Sequence, residues 1–492
     1  MKRKQIKKRL KEVRTYIGLF LIAASIWFEV RLILFGMLDS VWILSAAGVI
    51  FLADWLVLFL LFGRKSRGGR MLAGRLLGVM LTILLALCSM GMQILDAFLG
   101  NVTEMSVIRR DVSLVVLEEH PLESVEEITS ETVMGYERVM SKESTDYMMQ
   151  EMEDQVKSQP QTKEYDNVNA EVSALYAGEV DVIILNESYR NLILEENENF
   201  TEETRVIYSV SYSEQQKNIS RKINVSEDPF LVMISGMDTY GDIDTVSRSD
   251  VNILAAVDPS AARILLVSIP RDYYVPIIAG TQSIAGRSGS MDKLTHSGLF
   301  GAECTVRTVE NLFDAKINYY VKVNFSGVVE IIDALGGITV QSDYAFDDFQ
   351  AGSNELNGEQ ALSFARNRYA FEDGDRQRGK NQMKVIEGVV AKVSGLSIDY
   401  DYGALVNAVS SSIEMNFSDQ EVKQLIQLQV TKRPAWTVES ISVTGTDGTD
   451  YSYFYGSDLY VMYPDEASVD AAKEKIREIL GSEQEQEQEG QE

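Results

Sequence analysis

The apolar run Phe-Leu-Val-Met-Ile-Ser at residues 230–235, which ends at Gly236, decides the fold of the C-terminal half of the chain. A short, uninterrupted apolar run before a glycine is typical of a buried strand. Two further runs, Asn252–Val257 and Arg263–Ile269, are joined by the turn residues Asp-Pro-Ser at 258–260. The sequence therefore predicts three consecutive buried strands here.

Beyond these strands, helix-like and strand-like segments alternate. The pattern predicts helices at Cys304–Phe313 and Gly327–Leu335, and strands at Ile317–Val323 and Ile338–Val340. The Gly-Gly pair at 336–337 favours a helix end with a left-handed residue. This alternation predicts the α/β class, with a layered α/β/α domain around a central mixed sheet.

Composition limits the function classes. The 492 residues carry a formal charge of −27, and nucleic-acid binding needs a basic face, so we expect no nucleic-acid partner. Cys88 lies in an apolar, membrane-type segment, which argues against a disulfide framework with Cys304. His120 and His296 are the two histidines, which argues against a His-rich zinc site.

Three apolar segments near the N-terminus, Thr15–Leu38, Val41–Phe62 and Leu76–Leu95, each approach the ~20 residues needed to cross a bilayer. Because two such segments follow the first, we do not interpret it as a cleaved signal peptide. Charges inside lipid are costly, so we expect the charged residues of the first two segments to face one another or the bundle interior: Glu29, Arg31 and Asp54.

Lysine and arginine are dense before the first segment and between the second and third, and absent from the loop around Asp39. The positive-inside rule then places the N-terminus in the cytoplasm, and three crossings leave everything after Gly100 outside. We expect a multi-pass plasma-membrane protein with a basic cytoplasmic tail at residues 1–14 and three transmembrane helices within residues 15–100.

The outer part divides into a small accessory α/β or α+β domain at residues 101–225 and a catalytic domain at residues 226–480. In the accessory domain we predict strands at Val112–Leu117 and Val180–Leu185, and polar helical stretches such as Glu123–Gln155. No catalytic constellation is visible there, which favours a spacer or an interaction domain. The Glu/Gln-rich tail at residues 481–492 is predicted to be disordered.

Charged residues cluster at the predicted strand ends. Asp238 follows one strand, Arg248 and Asp250 precede the next, and Arg271 follows Pro270, which stops a third. Ligands of open α/β sheets bind at such strand-end loops. Arginine forks match phosphate oxygens, and paired aspartates suit Mg²⁺, so we expect a phosphate-containing substrate with a divalent cation.

A second group of arginines follows a predicted helix. Asn357 to Gln360 has the pattern of a capping box, giving a helix through about Ala365. Arg366 and Arg368 point to the same side only if the chain is extended after that helix. We therefore expect the helix to end here and both side chains to reach one site; the alternative is that they only complement the helix dipole.

A third group lies on one face of a helix predicted to begin near Asp375. Arg378 and Gln382 share this face with Asp375, and the face continues as the apolar residues Ile386, Val389 and Val393. This arrangement suits a ligand with a phosphate head and a hydrocarbon tail; the alternative is an ordinary amphipathic helix. No Ser-His-Asp, Cys-His or P-loop pattern is visible, and phosphoryl transfer needs mainly positioning and electrostatic stabilisation.

In motif form, residues 229–393 resemble the LytR-CpsA-Psr (LCP) family, and the resemblance extends to residue 480 as the rest of the domain. Three membrane helices plus an accessory domain resemble its longer, capsule-type members. The motifs that carry the resemblance are Gly236-Met237-Asp238, Arg248-Ser249-Asp250, Ser268-Ile269-Pro270-Arg271-Asp272, Asp292-Lys293-Leu294-Thr295-His296, Asp333-Ala334-Leu335-Gly336-Gly337, Gly358-Glu359-Gln360-Ala361-Leu362, Ala365-Arg366-Asn367-Arg368-Tyr369, and Asp375-Arg376-Gln377-Arg378 through Gln382.

The resemblance implies a phosphotransferase that moves an anionic glycopolymer (capsular polysaccharide or teichoic acid) from a polyprenyl pyrophosphate to a peptidoglycan hydroxyl. It implies that Asp238 and Asp250 hold Mg²⁺, that Asp375 orients an arginine or helps to remove a proton, and that the prenyl chain lies in a tunnel between sheet and helices. Lys293 matches a basic family position, whereas Gly379-Lys380-Asn381 departs from the usual pattern. The pyrophosphate contacts implied are Arg248, Arg271, Lys293, Arg366, Arg368, Arg378 and Gln382, with Arg271, Arg366, Arg368 and Asp375 as the catalytic set.

Two other functions fit the same residues. The site could hydrolyse polyprenyl (pyro)phosphates when no acceptor is present. Alternatively, the chain could be a membrane-tethered scaffold that recruits envelope-assembly proteins through residues 101–225.

Overall fold

The fold is that of a computed structural model, in which the described residues are 2–36, 40–63, 68–103, 107–138, 141–237, 243–244, 246–280, 288–368, 370, 374–396 and 413–481. Asp238 and the predicted disordered tail lie outside these residues. The contacts divide the chain into two units, which we call the helical unit (residues 1–101 and 418–433) and the outer unit (residues 102–417 and 434–492).

The helical unit begins with three long apolar helices, α1 (Lys2–Phe35), α2 (Ser40–Phe62) and α3 (Gly69–Thr103). Their segments at residues 13–35, 40–62 and 69–93 are long and apolar enough to cross a membrane, which confirms the three predicted helices. The helix Asp419–Thr431 also belongs to this unit. Arg31 pairs with Asp96 of α3 at 3.2 Å, and Lys423 contacts the same carboxylate at 2.7 Å.

The N-terminal part of the outer unit is a five-stranded sheet in the order β3-β2-β4-β1-β5. Strand β2 is parallel to β3 and β4, whereas β1 is antiparallel to β4 and β5. The elements of this part are β1 (Val107–Leu117), β2 (Val133–Glu137), α4 (Ser141–Glu151), β3 (Gln161–Tyr165), α5 (Val168–Tyr176), β4 (Val182–Asn186), α6 (Arg190–Glu196), α7 (Phe200–Glu203) and β5 (Thr204–Gln215).

The predicted helical stretch Glu123–Gln155 is wrong over its first half. It contains strand β2, whose Met134 is fully buried, and among the described residues of this stretch the helical segments are α4 and a short 3₁₀ turn at Val125–Glu127. The sequence around β2 is polar and does not show a strand pattern. The segment forms a strand because it pairs with β3 and β4.

The rest of the outer unit surrounds a six-stranded sheet in the order β14-β11-β6-β7-β8-β15, which confirms the predicted central mixed sheet. Its strands and those of three two-stranded ribbons are β6 (Phe230–Met237), β7 (Ser249–Asp258), β8 (Arg263–Ser268), β9 (Tyr274–Pro276), β10 (Met291–Lys293), β11 (Tyr319–Asn324), β12 (Ile338–Ser342), β13 (Gly352–Leu356), β14 (Ile413–Met415), β15 (Thr437–Ser442), β16 (Gly445–Ser452) and β17 (Ser457–Pro464). The helices are α8 (Ala302–Phe313), α9 (Phe325–Ala334), α10 (Gly358–Arg366), α11 (Asp375–Ser394), α12 (Asp419–Thr431, in the helical unit) and α13 (Glu466–Leu480).

Strand direction brings several chain segments to one edge of this sheet. Strands β6 and β11 are parallel, as are β8 and β15, and β7 is antiparallel to β6 and β8. The start of β7 therefore meets the ends of the other four, as shown by the pairs Ser249–Met237, Ile253–Ser268, Asn324–Met237 and Ser442–Ser268. The loops that leave this edge carry the charged residues singled out in the sequence.

The hydrophobic core is continuous across the predicted domain boundary at residue 226. One cluster of buried side chains joins Met233 and Leu254 of the six-stranded sheet, Val309 of α8 and Ile476 of α13 to Leu192 of α6. Helix α11 contacts β7, β8 and β15, and its Val385 packs in a separate cluster with residues of α9, α10 and the β12–β13 ribbon. Glycines at 336 and 337 have φ of 72° and 84°, so the predicted left-handed helix end is present.

Candidate active site

Asp250 and Arg248 lie at the start of β7 and are both buried. Arg248 forms an ion pair through Nη1 with Glu195 of α6, and its Nη2 lies 3.8 Å from Asp250 Oδ2. The 3₁₀ helix Leu294–Phe300 approaches the backbone here so closely that a Cβ on Gly298 would lie 2.5 Å from the Ser249 nitrogen. Glycine at 298 therefore permits the position of Arg248.

Arg271 follows the end of β8 and forms the second arginine contact of Asp250. Its Nη1 donates to Asp250 Oδ1 at 3.0 Å, and its Nε lies 3.5 Å from Asp272 Oδ2. Lys293 at the end of β10 is buried and pairs with Asp272 at 3.0 Å. Lys293 and Arg271 therefore contact the same carboxylate, that of Asp272.

The charge state of Asp250 follows from these contacts. Burial by itself would raise its pKa, but the charges of Arg248 and Arg271, with hydrogen bonds from Thr295 and Arg271, lower the pKa to about 2. Asp250 is therefore an anion at neutral pH, and it holds the two arginines at the sheet edge.

Arg366 and Arg368 follow α10 as the sequence predicts. The capping box is present, with Asn357 and Gln360 each bonding the backbone of the other, and the helix ends at Arg366 because Asn367 is extended, with ψ of 123°. The guanidinium carbon of Arg366 lies 4.2 Å from the centre of the Phe325 ring, a cation–π contact at the end of β11.

Helix α11 begins at Asp375, at the predicted position, and Gly374 before it has φ of 47°. Arg378 and Gln382 lie one turn apart on this helix. Val389 and Val393 pack on the cluster formed with α9 and α10, as predicted, but the third residue of this face is Val385, and the predicted Ile386 is not part of the cluster. The side chain of Asp375 lies outside the described residues.

Two adjoining cavities lie at this sheet edge. The first, which we call the arginine cavity, has a volume of about 210 Å³ and brings together seven of the predicted site residues. It is lined by Arg248, Asp250, Arg271, Arg366, Arg368, Arg378 and Gln382, with Glu195, Val251 and Phe325. Lys293, also expected to contact the pyrophosphate, is not part of this lining, because its side chain is buried in the pair with Asp272.

The second cavity, of about 130 Å³, shares Asp250, Arg271, Arg378 and Gln382 with the arginine cavity. It extends toward the ends of β8 and β15, where Ile269, Pro270, Val443 and Met462 give it apolar walls. A phosphate group in the arginine cavity would therefore have an apolar recess beside it.

Sequence reasoning missed Glu195 and Phe325, which both line the arginine cavity. Phe325 directly follows a predicted strand, so its place at the strand-end edge was a usable signal. Glu195 is one of many acidic residues in the N-terminal part of the outer unit, and nothing local distinguishes it.

One atom of the site fits a cation. Oδ2 of Asp250 is buried and has no hydrogen-bond partner among the residues that the structure describes. A carboxylate oxygen in this state suits Mg²⁺, which commonly binds one or two carboxylates together with substrate phosphates. Asp238, the second expected ligand, lies outside the described residues.

Fold and site together define a protein with membrane-type helices and an arginine-lined anion site at the edge of a mixed sheet. The model of the LytR_cpsA_psr family matches residues 198–478, more than half of the sequence. The chain therefore belongs to the LytR-CpsA-Psr family.

Named relatives agree with this assignment. A protein of Enterococcus faecalis named polyisoprenyl-teichoic acid–peptidoglycan teichoic acid transferase TagU is 37% identical over 223 residues, which cover 44% of this chain and 71% of the relative. The Bacillus subtilis protein of the same name is 36% identical and is covered over 66% of its length, against 42% of this chain. The crystal structure of B. subtilis TagU shares 30% identity and covers 52% of this chain and 99% of its own, with a TM-score of 0.41.

Proposed function

We propose that this protein transfers a glycopolymer from a polyprenyl-pyrophosphate carrier to a hydroxyl of peptidoglycan. The observation that carries this proposal is the convergence of five arginines, from four separate segments of chain, on the arginine cavity. The names of the relatives give the same class of reaction, with teichoic acid as the polymer.

The arginines have two tasks in this reaction. First, the arginines would bind the pyrophosphate, with Gln382 as a further hydrogen-bond donor, and so hold the lipid-linked substrate in place. The arginines are Arg248, Arg271, Arg366, Arg368 and Arg378. The acceptor oxygen attacks the phosphorus next to the sugar, the bond from that phosphorus to the bridging oxygen breaks, and polyprenyl phosphate leaves with the electron pair. Arginines at the leaving phosphate stabilise the charge that develops there, and a single such donor is commonly worth ~10²–10³ in rate.

Three further residues would support this step. Asp250, together with Asp238, would hold Mg²⁺, which neutralises phosphate charge when it is bound. Lys293, through Asp272, would keep Arg271 in place. Asp375 would orient an arginine or accept the proton of the acceptor hydroxyl.

The apolar recess beside the arginine cavity would receive the first part of the prenyl chain. Its walls at Ile269, Val443 and Met462 are apolar, and it shares Arg271 and Arg378 with the phosphate site. A ligand with a charged head and a hydrocarbon tail fits two such cavities, and most of the tail would extend beyond this small recess.

The orientation follows from the basic residues near the apolar helices. With the N-terminus in the cytoplasm, three crossings place the outer unit outside the membrane, where peptidoglycan is. The N-terminal part of the outer unit would bind envelope-assembly proteins.

The test replaces Arg271 or Arg366 by alanine in the full-length, membrane-inserted protein and measures attachment of polymer to the cell wall. Each variant should insert and fold normally but lose transfer by at least ~10²-fold. The matched control is Arg263→Ala, because Arg263 is an exposed arginine at the start of β8, the strand whose other end precedes Arg271. Normal attachment in the Arg271 and Arg366 variants would reject the proposal.

A second assay separates transfer from hydrolysis. Purified protein with a polyprenyl-pyrophosphate-linked disaccharide should release polyprenyl phosphate faster when peptidoglycan is added, and the sugar phosphate should appear on the wall fragment. Release that is independent of peptidoglycan, with free sugar phosphate as the product, would identify a hydrolase instead.

A further inference from the structure

We infer that Glu195, on a helix that precedes the family-matched region, is a positioning residue for the phosphate site and holds Arg248 in its working position. This inference rests on the proposed function and extends it to the N-terminal part of the outer unit. The family match begins at residue 198, so Glu195 lies just before the matched residues.

Among the described residues, Arg248 has one carboxylate in close contact, that of Glu195. The Arg248 side chain is 10% exposed, and its Nη1 is paired with Glu195. Its other carboxylate neighbour, Asp250 Oδ2, lies 3.8 Å from Nη2, beyond hydrogen-bond distance. A nine-tenths buried guanidinium needs a close anion, so Glu195 determines where this arginine lies.

The contacts of Asp250 indicate where the Arg248 side chain would move if Glu195 did not hold it. Asp250 Oδ1 is already bonded to Arg271 and Thr295, at 3.0 and 2.9 Å, whereas the buried Oδ2 of Asp250 accepts no hydrogen bond from the described residues. If Glu195 were uncharged, Arg248 would move toward that oxygen and form the bond that is now too long. The arginine would then be withdrawn from the cavity, and Oδ2 would be occupied.

Glu195 can do this because α6 is anchored in the shared core. Leu192 and Ile193 of the same helix are buried in the cluster that includes Met233 and Leu254 of the six-stranded sheet. The carboxylate of Glu195 itself remains 34% exposed and lines the arginine cavity. Its position is thus fixed by packing, while its charge faces the site.

The test is a double-mutant cycle on the full-length protein in detergent, with Glu195→Gln, Arg248→Ala and the double variant. Steady-state transfer is measured with a polyprenyl-pyrophosphate-linked disaccharide as donor and peptidoglycan fragments as acceptor. Glu195→Gln should raise the KM for the donor about tenfold with a smaller change in kcat, because a charge-assisted contact orients a binding arginine. Glu195→Asp should recover part of the loss.

The cycle separates positioning from other roles. In the Arg248→Ala background, Glu195→Gln should have almost no further effect, because both changes act through the same arginine. The control is Glu196→Gln, since Glu196 is the next residue on α6, is exposed and does not line the cavity. Its donor KM should equal that of the unmodified protein.

Two results would overturn the inference. An undiminished effect of Glu195→Gln in the Arg248→Ala protein would show that Glu195 does not act through Arg248. Tighter donor binding in Glu195→Gln would show that Glu195 competes with phosphate for the arginine instead of placing it. The proposed function fails separately, if Arg271→Ala or Arg366→Ala leaves transfer intact.

Discussion

Gly379 of α11 faces Ser268 at the end of β8 so closely that a Cβ on residue 379 would lie 2.8 Å from the Ser268 hydroxyl. The absence of a side chain at this position lets the first turns of the helix approach the sheet edge. Arg378 and Gln382 flank this contact, and both line the two cavities. The spacing between helix and strand therefore sets the depth of these side chains in the site.

Gly379→Ala should move the start of α11 by a few tenths of an ångström and lower transfer by roughly 3- to 10-fold, since small misplacements at a reacting group are costly. Overall stability should change little, because alanine favours the helix as much as the contact opposes it. Transfer rate and thermal unfolding of the same preparation measure both effects.

Removing the opposing hydroxyl provides the control. In Gly379→Ala/Ser268→Ala, the nearest Ser268 atom to the new methyl group becomes the Cβ at 3.9 Å, an ordinary contact. The double variant should regain most of the transfer rate. Failure to regain it would mean that Gly379 is needed for another reason.

Asp250 gives the site a defined acid sensitivity. Its pKa is lowered to about 2 in the folded protein, whereas an aspartate in an unfolded chain titrates near 4. The stability that it contributes is therefore present above pH ~4 and is lost as pH falls toward 2, a change of about 2–3 kcal/mol. Asp250→Asn should lack this part of the pH dependence and be less stable at neutral pH.

Urea unfolding of the full-length protein in detergent, followed by circular dichroism between pH 2 and 7, measures this difference. The gap between the unmodified protein and Asp250→Asn should narrow below pH 4. Parallel curves over the whole range would contradict the ion pairs of Asp250 with Arg248 and Arg271.

The pKa of Glu171, on α5, is shifted in the opposite direction to that of Asp250. Glu171 is buried next to Glu137, and burial first, then the charge of Glu137, raises its pKa well above the ordinary value. The protein is therefore stable with Glu171 protonated at low pH, and stability is lost as pH rises above the unfolded value near 4.3. Glu171→Gln should increase the melting temperature by a few degrees at pH 8 and by almost nothing at pH 4.

Thermal unfolding at several pH values tests this expectation. Glu179→Gln is the control, because Glu179 follows the end of α5, is exposed and pairs with Lys163 at the surface. A destabilised Glu171→Gln at pH 8 would mean that the carboxylate is ionised and needed in the core.

Local signals in the sequence predicted much of the site. The capping box at Asn357 fixes the start of α10, and the spacing of Arg366 and Arg368 requires an extended chain after it; both features are present. Pro270 follows the end of β8 at Ser268 and keeps the chain from continuing as a strand, which leaves Arg271 in the loop at the sheet edge. These predictions succeeded because each depends on residues that are only a few positions apart in the sequence.

Features that depend on distant pairing could not be predicted in this way. Strand β2 is a strand because β3 and β4 flank it, and its own residues resemble the polar segments around it. The contact between Glu195 and Arg248 joins residues more than 50 positions apart and exists only after α6 packs on the shared core. An acidic chain offers many such glutamates, so no count or spacing identifies this one.

The continuous core of the outer unit has a practical consequence. Residues 107–215 share one buried apolar cluster with the rest of the outer unit, so we expect neither part to be stable alone. A truncated protein that starts at residue 226 would lose Leu192, Phe200 and the other buried side chains that residues 107–215 add to this cluster, and we expect it to aggregate. Grafting this region onto a shorter relative, or removing it from this one, would require a redesigned surface on whichever half is left alone.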